Sequence, residues 1–457
     1  MHYPLRHRVV RTLIGLILLH AGACHRQEKA AETVPSPPPN ILLISLDACR
    51  ADHLGCYGYR LATSPFIDAL AARGTRFNRA FANTQGTVPS HATMLTSLYQ
   101  ESHRMFHFRT PAEKRWQKIP PEAVMVQELL RASGYLTLAV TDGGHMARVF
   151  GFDRGFDDYR DGATGVESGT RKLSGLIRAG LGSGRPVFAF YHTYEIHSPY
   201  DPPEPERTLF GPYPGRIAAD SGILLRFADT ALTELTPEDL AFFRGQYDGG
   251  IRFTDRVLMG FFAELEAMGF LENAVVVLTA DHGEEFGEHG GLLHRGMLYD
   301  ESIRVPLIAA GTGIPVGRVD GRLASLADIA PTLLARAGAP PARRMRGRDL
   351  LAPPPAIAGE EAVFTQYGPL RYGIRTREWK LIVNADPPLT ELYRLRTDPG
   401  ERTNLAGERP GMVKEFKRRL REWQRAQPVL KGASMPSVEL TAEERARLRA
   451  LGYMTGE

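Results

Sequence analysis

The chain has 457 residues, 43% hydrophobic and 24% charged, with a formal net charge of +4. That composition is ordinary for a soluble globular protein with ample chain for a core, and so small a charge gives no ground for expecting a nucleic-acid partner. Apart from Cys24 the cysteines are Cys49 and Cys56, too few for a disulfide framework; they are either small buried residues or a pair formed in an oxidising compartment.

At the N-terminus, Arg6, Arg8 and Arg11 precede the apolar run Leu13 to Leu19. The run is too short to cross a bilayer and has the make-up of a secretory signal. Ala21-Gly22-Ala23-Cys24 resembles a bacterial lipoprotein box, although Ala21 stands where Leu is commoner. Residues 1–24 are therefore expected to be a signal peptide ending in a lipidated Cys24. Residues 25–39, with Pro35, Pro37, Pro38 and Pro39, are expected to be a stiff extended tether. This arrangement predicts an exported protein of the periplasm or cell envelope, held at the membrane by its lipid.

A folded domain is expected from residue 40 to 345. Asn40 to Asp47 is a continuous apolar run ending in an acid, and Ala274 to Asp281 repeats the pattern. Runs without alternation suit strands buried on both faces of a parallel sheet. Pro186 to His192, Tyr135 to Val140 and Val305 to Ala310 read as further strands. Between them, helices are predicted from Ser64 to Gly74, from Val124 to Ser133 and from Glu238 to Met268, the last weakened at Gly249-Gly250. Alternation of this kind predicts a doubly wound, mostly parallel α/β sheet flanked by helices, with its site outside the carboxyl ends of the strands. Asp47 and Asp281 both fall at such ends. From 346 to 457 the texture changes. Pro353-Pro354-Pro355 reads as a linker; short strands follow at Ala362 to Gln366, Tyr372 to Arg375, Trp379 to Val383 and Glu391 to Leu395, then a helix from Gly411 to Gln427. This predicts a small C-terminal α+β subdomain with a helical tail.

Chemistry gathers at few places. In Thr87-Val88-Pro89-Ser90-His91, the proline predicts a helix start with Thr87 just before it, where free N–H groups and the helix dipole favour an anion. Asp281-His282-Gly283-Glu284 offers hard oxygen and imidazole nitrogen to a divalent cation, with Asp47 as a third ligand. His192, His197 and His294 follow strand patterns and can donate to a bridging oxygen or protonate a leaving group.

Taken in order, these motifs resemble the sulfatase family of the alkaline phosphatase superfamily. The resemblance runs from Asn40 to Gly452. It rests on Asn40 to Asp47 with Leu54-Gly55-Cys56-Tyr57-Gly58, on Thr87 to His91 in place of the Cys-x-Pro-Ser-Arg signature, and on His197-Ser198-Pro199-Tyr200. Asp281 to Glu284, Leu298-Tyr299-Asp300-Glu301, and Glu391-Leu392-Tyr393 with Thr397 to Glu401 complete it. The resemblance implies an alkaline-phosphatase-like fold and a metal held by Asp47, Thr87, Asp281 and His282. It implies that Thr87 is the nucleophile, with His91, His197 and His294 as catalytic companions and Arg50, His145, His192 and Arg295 as further candidates. The family metal is usually calcium; the mixed Asp and His set also suits manganese or zinc. The sequence departs from the family at Thr87, where Cys or Ser is oxidised to formylglycine, so formylglycine is not expected. It departs again at His91, which replaces an arginine, and at Ala48, which replaces a second metal-binding Asp. Near Asp142-Gly143-Gly144-His145 a sulfate-gripping lysine is missing.

The expected function is metal-dependent hydrolysis of sulfuric or phosphoric esters on a small molecule, glycan or lipid headgroup. The alternatives are a phosphodiesterase or phosphotransferase using a Thr87 alkoxide, and a binding protein on a sulfatase scaffold.

Overall fold

The computed structural model describes residues 37–106, 116–211, 235–353, 360–430 and 437–453. The signal peptide, Cys24, most of the tether, and Pro354 and Pro355 of the linker lie outside the described residues. Among the described residues no helix is long and apolar enough to cross a membrane.

The central sheet is built from β1 (Asn40–Leu46), β2 (Gly74–Phe81), β3 (Leu136–Val140), β4 (Asp158–Arg160), β5 (Val187–Thr193), β6 (Ala274–Thr279), β7 (Leu307–Gly311) and β8 (Arg318–Ser325). Its order is β8-β2-β7-β6-β1-β5-β3-β4. All pairings are parallel except those of β7, which runs antiparallel to β2 and β6. The apolar runs take the central positions because each of their residues is covered on both faces: β6 is buried throughout, and so is β1 after Asn40. Each such aliphatic side chain contributes roughly 1.5–3 kcal/mol by leaving water. β2 and β8 were not foreseen. They alternate arginine with apolar residues, as strands with one face near solvent do.

The main helices are α1 (Pro65–Ala72), α2 (Thr87–Thr96), α3 (Val126–Ala132), α4 (Gly165–Leu181), α5 (Pro237–Ala267), α6 (Ile329–Ala337), α7 (Pro410–Ala426) and α8 (Ala442–Ala450). Helix α4 packs on β5 and on α5, which also meets α1; on the other side α2, α3 and α6 pack against one another. Helix α5 runs unbroken through Gly249-Gly250, where a weak point was expected. Gly249 is there for space: a Cβ would stand 2.6 Å from the carbonyl oxygen of Glu206. Every residue of α2 is buried, as befits a helix covered all round.

The C-terminal strands β9 (Val363–Tyr367), β10 (Arg371–Arg375), β11 (Trp379–Ala385) and β12 (Pro388–Arg394) form an antiparallel sheet in that order. Ile374, Leu381 and Leu392 from this sheet, with Phe416 and Leu420 from α7, make a small apolar core of their own. Cys49 and Cys56 are free thiols.

Candidate active site

Strands β1 and β6 are neighbours in parallel register, Ser45 opposite Thr279. Asp47 and Asp281, two residues further on, therefore leave the sheet side by side. The turn after β1 is tight: Ala48 takes φ 58°, a left-handed conformation a non-glycine residue adopts only when its surroundings impose it. In that conformation the Ala48 N–H donates to Asp281 Oδ1 at 3.2 Å, and the Tyr247 hydroxyl donates to the Ala48 carbonyl at 2.7 Å.

Asp47, Asp281 and His282 are fully buried, with ligand atoms all within 4.8 Å of one another. The His282 Nδ1–H donates to the carbonyl of Gly283 at 2.9 Å, which leaves a bare lone pair on Nε2. That nitrogen lies 3.4 Å from Asp281 Oδ2 and 3.7 Å from Asp47 Oδ1. None of the three atoms has a hydrogen-bond partner among the described residues. Three buried donor atoms that face one point and have no other partner among the described residues fit a divalent cation. Burial, opposed by His282, pushes the Asp47 carboxyl up to about 6. Burial and the charge of Asp47 raise that of Asp281.

Thr87 is the first residue of α2 rather than the residue before it; Gly86, at φ 144°, is the cap. Pro89 has no N–H to lose in this first turn. The Thr87 hydroxyl donates to Asp47 Oδ2 at 3.3 Å and so stands beside the buried Asp–Asp–His cluster. His192 contributes from β5, its Nε2 3.0 Å from Asp47 Oδ2.

His197 and His294 are joined to Thr87 through one shared oxygen, the Tyr453 hydroxyl, and their Nε2 atoms lie 3.4 Å apart. The His197 Nδ1–H is given to the Ser198 carbonyl at 2.6 Å, and His294 Nδ1 to Glu284 Oε1 at 3.0 Å. Both rings therefore turn Nε2 inward. Burial holds His197 down at about 3 and His294 well below the usual imidazole range. Burial, opposed by His197 and His282, raises Glu284 to about 7.

Tyr453, which no sequence motif announces, closes the group. Its hydroxyl is 2.8 Å from His197 Nε2, 3.2 Å from Thr87 Oγ1 and 3.4 Å from His294 Nε2. Burial, with the charges of Asp47 and Tyr194, keeps the phenol far from ionising. His145 takes part through this ring, 4.0 Å away centroid to centroid.

Three expected residues stand elsewhere. His91 lies behind Thr87: its Nδ1–H donates to the Thr87 carbonyl at 2.8 Å and its Nε2 meets Ser45 Oγ at 2.9 Å. It is one helical turn on from Thr87, so it positions that residue and does not reach its open side. Arg50 turns away to Asp52 and Glu288. Arg295 is exposed.

The chain is similar to known proteins along most of its length. Residues 39–339 match the Sulfatase family, and residues 287–426 match the family described as N-sulphoglucosamine sulphohydrolase, C-terminal. Human arylsulfatase A is 27% identical over 86% of this chain and 89% of its own length. The N-acetylglucosamine-6-O-sulfatase of Bacteroides thetaiotaomicron is 24% identical over 87% of each. Among solved structures, the phosphonate monoester hydrolase of Agrobacterium radiobacter superposes with a TM-score of 0.70 at 25% identity, covering 85% of this chain and 95% of that one. With the matched region spanning the strand-end acids, Thr87 and both inward-facing histidines, the chain belongs to the sulfatase family, a family of ester hydrolases.

Proposed function

We propose that the protein hydrolyses sulfuric esters, with Thr87 as the nucleophile and a divalent cation held by Asp47, Asp281 and His282. The observation that carries this reading is the Thr87 hydroxyl bonded to Asp47 on one side and, on the other, to the Tyr453 oxygen that also meets His197 and His294. Bound there, the cation supplies positive charge that lowers the hydroxyl's pKa and offsets charge on the transferred group. The Thr87 Oγ1–H points at Asp47 Oδ2, so a lone pair of Oγ1 faces the opposite side. On that side Tyr453 already presents an oxygen to Thr87, His197 and His294. An ester oxygen placed there would meet the same three groups. The first-turn N–H groups of α2 add a dipole suited to the remaining oxyanion charge. His91 fixes the backbone of Thr87, and Glu284 fixes the ring of His294.

A second reading, hydrolysis of a phosphoric or phosphonic ester, has its own support. An unmodified hydroxyl suffices for in-line attack at phosphorus, and the Agrobacterium radiobacter relative acts on phosphonate monoesters by its name. Sulfated or phosphorylated glycans and small molecules are the substrates this reading implies. The test is turnover of an aryl sulfate, an aryl phosphate and an aryl phosphonate monoester with calcium, manganese or zinc, beside Thr87→Ala. Turnover should fall at least about a thousandfold in Thr87→Ala, in the range seen when a nucleophile is removed. Unchanged turnover in that variant sinks the role of Thr87. Which ester is cleaved decides between the two readings.

A further inference from the structure

Beside β2 lies a second concave surface, a cleft of about 1000 Å³. None of Asp47, Thr87, His197, Asp281, His282 or His294 lines it. Arg50, Arg76, Arg79, Arg304, Arg375 and Arg402 do.

The carboxylates in the same walls are already engaged. Asp52 and Glu288 hold Arg50 at 2.8 and 2.7 Å. Asp300 holds Arg375 and Lys380, each at 2.9 Å. Glu301 is taken by His289. Arg402 is occupied with the Glu288 carbonyl. That leaves Arg76, Arg79 and Arg304. Among the described residues no carboxylate lies within salt-bridge distance of any of them. Arg79 gives one N–H to the Gly321 carbonyl at 2.9 Å, and Arg304 gives one to the Asn78 carbonyl at 3.3 Å. Arg76 lies over the Tyr57 ring, 5.0 Å from its centre. A guanidinium carries five donors, so most of theirs have no acceptor among the described residues. All three residues are half-buried. Burial and the neighbouring charges of Arg377, Arg375 and Arg304 also pull Arg79 down from the usual arginine range.

Fixed cations in a concave wall concentrate anions, and the arginine fork matches the oxygens of sulfate and phosphate two at a time. One oxyanion cannot serve the whole cleft. Arg76 and Arg79 stand three residues apart on β2, on opposite faces of the strand, so they line the cleft from two directions. We infer that this cleft binds an oligoanion carrying two or more sulfate or phosphate groups, at a site separate from the reacting centre. The two sites share one segment. Arg50 donates to the Glu284 carbonyl at 3.0 Å on the cleft side, while the Glu284 carboxylate holds His294 on the other.

The test is read by affinity, so it does not depend on what Thr87 does. A heparin-derived, multiply sulfated tetrasaccharide and inorganic sulfate are titrated separately into the full-length protein by calorimetry. The proteins compared are wild type, Arg76→Gln/Arg79→Gln, and Arg418→Gln, an exposed residue of α7. The tetrasaccharide should bind wild type and Arg418→Gln alike and the double variant at least about tenfold more weakly, a loss of about 1.4 kcal/mol. Inorganic sulfate should bind far more weakly than the tetrasaccharide. Turnover of a small aryl ester should be the same in all three. Equal tetrasaccharide affinity in the three proteins overturns the proposal, and so does inorganic sulfate binding as tightly as the tetrasaccharide. Should the double variant melt early, Arg79→Gln alone must still weaken the tetrasaccharide; no weakening there also overturns it.

Discussion

The carbonyl of Gly283 decides which nitrogen of His282 faces the two aspartates. With Nδ1–H given to that carbonyl, Nε2 is left to face the two carboxylate oxygens. A folded protein holding these groups together without a cation bears their repulsion; the unfolded chain does not. A divalent cation should therefore stabilise the protein, by about 2.7 kcal/mol at a hundredfold excess over its dissociation constant. Thermal unfolding with and without a chelator measures it. The chelator should lower the midpoint of the wild type by several degrees and leave Asp281→Asn unmoved; equal shifts in both would remove the metal from this corner. At this scale much was legible in the sequence, because an acid at the end of an uninterrupted apolar run marks a strand end, and two such runs in one parallel sheet put their acids together. The orientation of His91 was not legible. Spacing places it on the same helix face as Thr87 but does not say that its ring folds back onto the Thr87 carbonyl. Tyr453 was invisible for a different reason: it reaches Thr87 across 366 residues, and no periodic or motif signal accompanies it.

Helix α2 carries Thr87 at one end and is pinned at its middle by His103. The Nδ1 of His103 accepts from the Met105 N–H at 3.1 Å; its Nε2 meets Thr93 Oγ1 at 3.0 Å, and that hydroxyl donates to the Pro89 carbonyl. The ring is fully buried and neutral, and burial lowers it to about 3. In the unfolded chain the same ring titrates near 6.5. Below that value the unfolded state binds the proton and the folded state does not, so this contribution to stability is lost as pH falls from about 6.5 towards 3 and is fully present above it. The slope due to this one residue is at most about 1.4 kcal/mol per pH unit. Denaturant titrations at pH 4.5 and 7 should show a smaller pH dependence in His103→Gln than in the wild type; identical dependence would mean that His103 is not the linked group. The elements themselves were mostly legible. The central strands announce themselves because burial on both faces requires continuous apolar sequence. β2 and β8 do not, because arginines interrupt them where one face approaches solvent and the basic cleft.

At the scale of the whole molecule, the C-terminal quarter reaches the reacting centre in two ways. The first is the tail. Strand pairing of residues 437–438 with 116–117, burial of Leu448 and the Arg447 bond to the Asp161 carbonyl at 2.7 Å bring Tyr453 over Thr87. A substrate oxygen and the Tyr453 hydroxyl need the same partners. Tyr453→Phe should therefore lower KM several-fold with kcat changed by less than about twofold, the pattern for a group that acts on binding alone. A large fall in kcat would instead make Tyr453 a proton donor to the reaction.

The second way is a buried ionic knot. Lys380 of β11 is 1% exposed, 2.9 Å from Asp300 and 2.7 Å from Glu401, and Arg375 of β10 meets Asp300 at 2.9 Å with its guanidinium 4.0 Å over Phe81. Asp300 follows Tyr299 in the segment behind the Asp281–Glu284 loop, where the Glu301 carbonyl accepts from the Glu284 N–H at 3.1 Å. The small sheet thus braces the loop that carries Glu284. Burial, opposed by Lys380, raises Glu401, so removing the lysine leaves a buried carboxyl with little to offset its charge. Lys380→Met should destabilise the protein by about 3–5 kcal/mol, the usual penalty for breaking a buried pair from one side. Lys380→Met combined with Glu401→Gln should recover part of that loss, because the second change removes the stranded charge. Urea unfolding of the three proteins at pH 7.5 decides it. A loss below about 1 kcal/mol in the single variant would show that the knot is solvated and that the small sheet is held to the body by its apolar contacts instead.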